Sequence, residues 1–297
     1  MINNNNIYLT TCFGLDFDIC LLDHFICHYI SLGIKPENFL IVLNVFKDFE
    51  NLENGLKILK KYNIKPSDIW CQEYESQEKW SRVHNVISKN VTPSDWIIHP
   101  DSDEFFQFPI SLPEILSRMD ASGINAAQGF LIDRLSNDGK IKDVTPENNI
   151  FDQFPVRANF SNLIGLAGVK LMVYKGGLRA NNGSGQIHSR CEKYVSYLHG
   201  GRESLHKTDL AVKILGEWSS EKEIPYDPEK FNESVYQTLL MVYGLIVHHF
   251  KWHGNVLDKL RQRTDTYRRL GRPQLKQSQK MLDHYDKNGK FIFSENL

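Results

Sequence analysis

The chain has 297 residues, of which 41% are hydrophobic and 24% charged, and its formal net charge is −1. Such a composition belongs to an ordinary globular protein, long enough for one large core or two small ones, and it excludes disordered and fibrous classes. Near-neutral charge leaves no global field that would select nucleic acid or an anionic membrane.

Taken in order, Ile7 to Thr11 reads as a first strand. Leu22, Phe25, Ile26, Tyr29 and Ile30 then recur at helical spacing, and Gly33 closes that helix. Phe39 to Leu43 is a second apolar strand. Leu52, Leu56 and Leu59 mark a helix that stops before Pro66. A third strand is expected at Ile69–Tyr74, followed by a helix with Trp80, Val83 and Ile87 on one face. Trp96-Ile97-Ile98, behind the helix-breaking Pro93, is a short strand buried on both faces. Strands alternating with helices of roughly 10–15 residues predict βαβ units and a parallel sheet, so residues 7–106 read as a nucleotide-binding α/β half. The rest, 107–297, is mixed. It has a helix at Leu112–Met119, strands at Ala126–Ile132, Lys170–Tyr174 and Tyr243–Phe250, and helices at Glu233–Met241, Val256–Leu270 and Gln274–Tyr285. No Pro-, Ser- or Gly-rich linker and no repeat interrupts the chain, which predicts a single α/β domain over 1–297.

The strand at Trp96–Ile98 runs into His99-Pro100-Asp101-Ser102-Asp103-Glu104-Phe105-Phe106. Ligands of open α/β sheets bind beyond the carboxyl ends of strands, where this acidic turn falls. Asp101 and Asp103, one residue apart, can reach one side of a turn and share a hard divalent cation, whose other positions go to water and phosphate oxygens. The plainer alternative is a solvated acidic turn that caps the next helix. Further along, His188 ends a Gly-rich loop from Gly183, and His248 and His249 end a strand. Alternation sends those last two to opposite faces, so at most one serves a given site. Asp133 and Arg134 follow the strand at Ala126–Ile132, before the turn signal Asp138-Gly139. Asp152 lies between Phe151 and Phe154, surroundings that can raise a carboxyl pKa toward a general base's range. From Lys251 to Lys280 run nine basic residues, Arg263 among them, able to lend one or two cations to a diphosphate while the rest face solvent.

This series resembles the bacterial family 2 glycosyltransferases: Asp-x-Asp-Glu-Phe at 101–105, Asp133-Arg134 before Gly139, Gln153-Phe154-Pro155, a Gly-rich loop into His188, and His248-His249-Phe250-Lys251-Trp252 before an Arg-rich helix. The opening helix, His24 to Tyr29 followed by Leu32-Gly33-Ile34, is similar too. The resemblance spans about Ile7 to Gly289. It implies a GT-A-like fold, a nucleotide-sugar donor, Mn²⁺ or Mg²⁺, and inverting transfer of a sugar to the hydroxyl of a glycan, lipid-linked or protein acceptor. Carried onto this chain, Asp103 is the principal metal ligand, with Asp101 near the metal or the donor ribose. Glu104 supports the turn, and His249 is the ligand from the C-terminal half. Thr10, Thr11, Lys251 and Arg263 are expected on the donor, with Arg134 and His188 as further site residues. For the base, Asp152, Glu192 and Asp133 stand open, in that order.

Two rivals remain. A sugar nucleotidyltransferase shares the α/β front, but its Gly-rich phosphate loop after the first strand is missing, since Thr10-Thr11-Cys12-Phe13-Gly14 stands there. A non-catalytic nucleotide- or sugar-binding protein on the same fold is the other. Nucleic acid is not an expected partner. Cys12, Cys20, Cys27, Cys71 and Cys191 form an odd set without a Cys-x-x-Cys pair, as in a reducing compartment. The start, Met1 to Asn6, has no basic or apolar signal region, and the longest apolar run, Leu239 to Val247, is too short to span a bilayer. A cytoplasmic protein without a transmembrane segment is expected.

Overall fold

A computed structural model describes residues 7–158, 169–181, 187–198, 244–272 and 275–292, less the side chains of Glu192 and Tyr197. The front half alternates as expected: β1 (Ile7–Gly14), α1 (Leu15–Ser31), β2 (Phe39–Asn44), α2 (Phe49–Lys61), β3 (Asp68–Trp70), α3 (Ser76–Asn90) and β4 (Trp96–Ile98). These strands pair in parallel in the order β3-β2-β1-β4. Every residue of β2 and of β4 is buried, the signature of strands covered on both faces. Helix α1 buries Leu21, Leu22, Phe25, Ile26 and Tyr29. Gly33 stops it with φ 91°, a left-handed conformation that costs glycine little.

Two boundaries differ from the expectation. Strand β1 continues through Cys12 and Phe13 to Gly14, because both side chains are buried and pair in register with Val42 and Leu43. Thr10 and Thr11 therefore lie in mid-strand, opposite Leu40 and Ile41. Strand β3 is shorter than Ile69–Tyr74, since it lies at the sheet edge and follows β2 only from Val42 to Asn44.

The back half adds β5 (Glu104–Gln107), α4 (Leu112–Ala121), β6 (Ala126–Leu135), α5 (Ile150–Gln153), β7 (Val156–Ala158), β8 (Val169–Lys175), a 3-10 turn at Ser189–Tyr194, β9 (Tyr197–Leu198), β10 (Ile246–His249), α6 (Val256–Arg269) and α7 (Leu275–Asn288). The helix expected at Glu233–Met241 lies outside the described residues. Strand β8 is antiparallel to β4 and to β6, and β6 is parallel to β10. Two reversals restore direction, so β6 and β10 point the same way as β1 and β4. One sheet, in the order β3-β2-β1-β4-β8-β6-β10-β5, carries both halves. The α/β class, with a parallel front, helices on the sheet and a mixed back half, is the one read from the sequence.

The main core fills the space between α1, α4 and the sheet, with Phe25 edge-on to Phe13 at 4.9 Å and to Phe105 at 5.9 Å. In β6, Gly129 is required by crowding, since a Cβ there would stand 2.8 Å from the Leu245 carbonyl oxygen. A smaller core of Trp252, Val256, Leu260, Met281 and Phe291 seats α6 and α7. No helix among the described residues is long and apolar enough to cross a membrane, and all five cysteines are free thiols.

Candidate active site

The strand order reverses on either side of β1, with β2 built outward one way and β4 the other. That is a topological switch point, where α/β sheets take their ligands. The acidic turn sits there, and the carboxyl ends of β6 and β10 reach the same edge. The turn is closed from within: Glu104 N–H donates to the Asp101 carbonyl at 3.0 Å, and Asp101 N–H donates to Glu104 Oε2 at 3.0 Å. Phe250 N–H donates to the Asp103 carbonyl at 2.7 Å, which pins the end of β10 to the turn. Glu104 thus closes the turn on Asp101 through both its backbone and its carboxylate.

Each carboxylate of the site meets a cation or a donor. Asp101 is bonded by Lys79 from α3 and by Lys170 from β8, the latter at 3.0 Å. Lys170 also lies 2.7 Å from Glu104. Burial opposes ionisation of Asp101, yet Lys170 and Lys79 hold it well below the usual carboxylate range. Asp103 faces Lys259 Nζ and His249 Nε2, each at 3.6 Å. Against burial these two keep its pKa well below normal. His249 Nδ1 bonds Asp133 at 2.8 Å, and Trp252 Nε1 donates to the same Asp133 oxygen at 2.8 Å. Although burial disfavours the imidazolium, Asp103 and Asp133 raise His249 to about 9, so it is charged at neutral pH.

Asp18, in the first turn of α1, completes the cluster. Its carboxylate accepts from Ser102 Oγ at 2.6 Å and from Lys259 Nζ at 2.7 Å on both oxygens. His253 Nε2 stands 3.8 Å away. Lys251 and Arg263 have no carboxylate partner among the described residues. Lys251 lies over the Trp252 ring, and Arg263 Nε donates to Tyr267 Oη at 3.0 Å. Burial and then the neighbouring Arg263 charge lower Lys251 to about 8. Among the described residues, the six cations Lys79, Lys170, Lys251, Lys259, Arg263 and His249 face the five carboxylates Asp18, Asp101, Asp103, Glu104 and Asp133, one charge in excess, and Lys251 and Arg263 are the two that stand outside these ion pairs.

The divalent ion implied by the resemblance was expected on Asp101, Asp103 and His249. As placed, this donor set does not fit one. Both Asp101 oxygens are taken by lysines, and Asp18 and Asp103 face the Lys259 ammonium. Among the described residues, no three His, Cys, Asp or Glu side chains are arranged to hold a metal ion.

Other expected residues scatter. Thr10 Oγ1 bonds His99 Nδ1 at 2.6 Å, and Thr11 Oγ1 is buried without a partner among the described residues, so both belong to the strand interior rather than to a loop at the mouth. Arg134 points to the opposite face of β6 from Asp133 and lies over Phe151 and Phe250. His248 likewise turns away from Asp103 and bonds Gln107 at 2.8 Å. Asp152 was expected to be shielded by aromatics, but it is exposed on α5. Phe151 points inward against His248 and Phe250 while Phe154 is buried, so the rings line the core and not the carboxylate. Asp133 stands in the cluster, held by His249 and Trp252. His188 lies beside Arg179, whose carbonyl accepts from its N–H at 2.7 Å. The 3-10 turn bearing Glu192 is tied at its far end to Asn125, where β6 begins. From there to Asp133 is roughly 26 Å along a strand, so the turn that bears Glu192 ends far from Asp133, while His188 stands on the Arg179 side, near His84 of α3.

Sequence reasoning missed Asp18, Lys79, Lys170 and His253. Asp18 alone carried a local signal, being a carboxylate in the first turn of the helix after β1, at the ligand end of the sheet.

No family model matches the chain, and no curated protein matches it in sequence. Among solved structures, S. aureus TarS 1-349 aligns over 96% of this chain and 74% of its own, at 11% identity and a TM-score of 0.33. In complex with UDP, TarS 1-349 aligns over the same shares at 12% identity and a TM-score of 0.29. A 4-diphosphocytidyl-2C-methyl-D-erythritol synthase aligns over 82% of this chain and 99% of its own, at 15% identity and a TM-score of 0.29. Similarities of this size leave the family of the chain unassigned.

Proposed function

We propose that this chain is a GT-A-like glycosyltransferase that moves a sugar from a nucleotide-sugar donor to an acceptor hydroxyl with inversion. The observation that carries this reading is the surplus of fixed positive charge at the switch point. Among the described residues, Lys251 and Arg263 stand near Asp103 of the acidic turn without a carboxylate partner, where a diphosphate can take them up. An Arg fork and a Lys point charge are the usual partners of phosphate oxygens.

A sugar leaving a diphosphate passes through an oxocarbenium-like state, by analogy with glycoside hydrolysis. Negative charge then grows on the departing diphosphate. Cations already oriented, Lys251 over the Trp252 ring and Arg263 by Tyr267 Oη, stabilise that charge without reorganising during the reaction. His249, held as an imidazolium between Asp133 and Asp103, adds one more fixed charge at the rim. Retention through a double displacement requires a free carboxylate nucleophile. Among the described residues, the cluster's carboxylates Asp18, Asp101, Asp103, Glu104 and Asp133 are each held by a cation or donor, which favours a single displacement with inversion. In that step the acceptor oxygen bonds the anomeric carbon as the carbon's bond to the diphosphate breaks, and the hydroxyl proton passes to water.

Turnover tests the reading. Incubation with a panel of nucleotide sugars and mixed glycan, lipid-linked and peptide acceptors is expected to release a nucleoside diphosphate. That release should fall at least tenfold when Lys251 and Arg263 are both changed to Ala. Binding of a nucleotide sugar with no release for any acceptor would favour the non-catalytic binding protein instead.

A further inference from the structure

The carboxylates nearest the switch point are occupied by an ammonium group of the chain itself. Lys259 projects from the second turn of α6 and places Nζ 2.7 Å from both oxygens of Asp18 and 3.6 Å from Asp103 Oδ2. The pair is well sheltered, with side-chain exposure of 22% for Lys259 and 3% for Asp18. Ser102 Oγ, in the middle of the acidic turn, fixes Asp18 from the other side at 2.6 Å. Lys79 and Lys170 treat Asp101 in the same way. A divalent ion bound by Asp103 would have to displace an ammonium from a bidentate contact or sit against it as a like charge. Of the oxygen ligands that such an ion needs, those of Asp18 and Asp101 are already bonded by lysines, and Asp103 Oδ2 has the Lys259 ammonium and the His249 ring at 3.6 Å.

We infer that Lys259 is the resident cation of this site, filling the space between Asp18 and Asp103 in place of a divalent metal, so that a diphosphate binds here without Mn²⁺ or Mg²⁺. The part about the diphosphate rests on the donor reading above; the part about the cation does not. Lys259 acts as a positioning residue. It ties α6, which carries Arg263, to the turn and to α1, and it sets the charge that the turn presents.

The test separates the two parts. Mn²⁺ alone is titrated into the full chain after EDTA treatment, with bound metal read by electron paramagnetic resonance. The parent is expected to bind no Mn²⁺ at micromolar concentration. Lys259→Ala, which frees Asp18 and Asp103, is expected to bind one equivalent at least tenfold more tightly and to gain a Mn²⁺-dependent rise in its unfolding temperature. Should Lys259→Ala fail to fold, Lys259→Gln keeps the bulk and loses the charge, and is read the same way. Stoichiometric Mn²⁺ binding by the parent would overturn the inference, as would a folded charge-removed variant that gains no metal response. UDP, GDP, ADP and CDP are then titrated into the parent with EDTA and with Mn²⁺. Equal affinity in both is expected, and a diphosphate bound only with Mn²⁺ overturns the inference while sparing the donor reading. If none of the four binds in either condition, the donor reading falls and the metal titration still decides the role of Lys259.

Discussion

Strands β6 and β10 present two faces that differ sharply although the residues involved are neighbours in the chain. On one face Asp133 and His249 are 2.8 Å apart, and His249 goes on to Asp103. On the other, Arg134 lies over the rings of Phe151 and Phe250, and among the described residues neither its Nε nor His248 Nδ1 has a hydrogen-bond partner. The first face holds charge: His249 rises to about 9. The second disfavours it: burial and then the Arg134 charge push His248 well below its ordinary value, so the imidazole stays neutral, and burial followed by Arg157 lowers Arg134 to about 10, where it remains charged at neutral pH. A strand repeats every two residues, so a shift of one position moves a side chain from an ion-pair network to an aromatic core. The residue type sets the capacity for charge; the partner across the strand decides whether it is used.

The strongest way to break the charged face is to remove Asp18. Asp18→Ala leaves the Lys259 ammonium without its bidentate partner, and losing one member of a buried pair typically costs about 3–5 kcal/mol. Urea unfolding should show a loss in that range with an unchanged m-value. A loss below about 1 kcal/mol would mean that Lys259 re-forms its pairing on Asp103 and that Asp18 is dispensable.

A pH change sharpens the contrast more gently. The folded pKa of His249, about 9, lies above its ordinary 6.5. Its stabilising contribution is therefore complete below about pH 6.5 and is lost as pH rises through about 9. Between pH 6.5 and pH 8 it should decline by about 1.5 kcal/mol, and His249→Gln should abolish that decline. Lys251 has the opposite sign. Lowered from 10.5 to about 8, it favours the folded state most above pH 10.5, and that contribution is lost as pH falls through 8. Because the charged form is what a phosphate recognises, diphosphate affinity should weaken above pH 8 in the parent and stay flatter in Lys251→Ala.

The smallest effect is expected from Asp152. It is exposed on α5, and Asp152→Asn should change stability by no more than about 0.5 kcal/mol and leave diphosphate binding as it was. A tenfold loss of transfer in that variant, with binding intact, would restore it as the base.

Much of this was legible from local pattern. The βαβ front followed from apolar runs such as Phe39–Leu43 and Trp96–Ile98, because strands buried on both faces must be continuously apolar. The acidic turn was legible because three carboxylates directly after such a strand have few other uses. His249 was singled out over His248 by the ordered motif, and the structure places it beside Asp103. The ion-pair partners were not legible. Lys79 and Lys170 lie 22 and 69 positions from Asp101, and Lys259 lies 241 from Asp18, so only the sheet order brings them together. Asp152 misled because neighbours in sequence were read as neighbours in space. On a helical turn adjacent side chains diverge, and the rings of Phe151 and Phe154 turn to the core while the carboxylate turns to water. Thr10 and Thr11 misled for a related reason, since Cys12 and Phe13 carry the strand three residues past them to Gly14.

The central claim is that spare cations at the switch point receive a diphosphate, and calorimetric titration tests it most directly. UDP, GDP, ADP and CDP are titrated in EDTA into the parent and into a variant carrying Lys251→Ala and Arg263→Ala. At least one nucleotide should bind the parent, and the variant should bind it about a hundredfold more weakly, since each hydrogen bond to a charged group is worth roughly 1.5–3 kcal/mol. The variant should unfold as cooperatively as the parent. Equal binding by the two proteins, or no binding by the parent with or without Mn²⁺, would contradict the account.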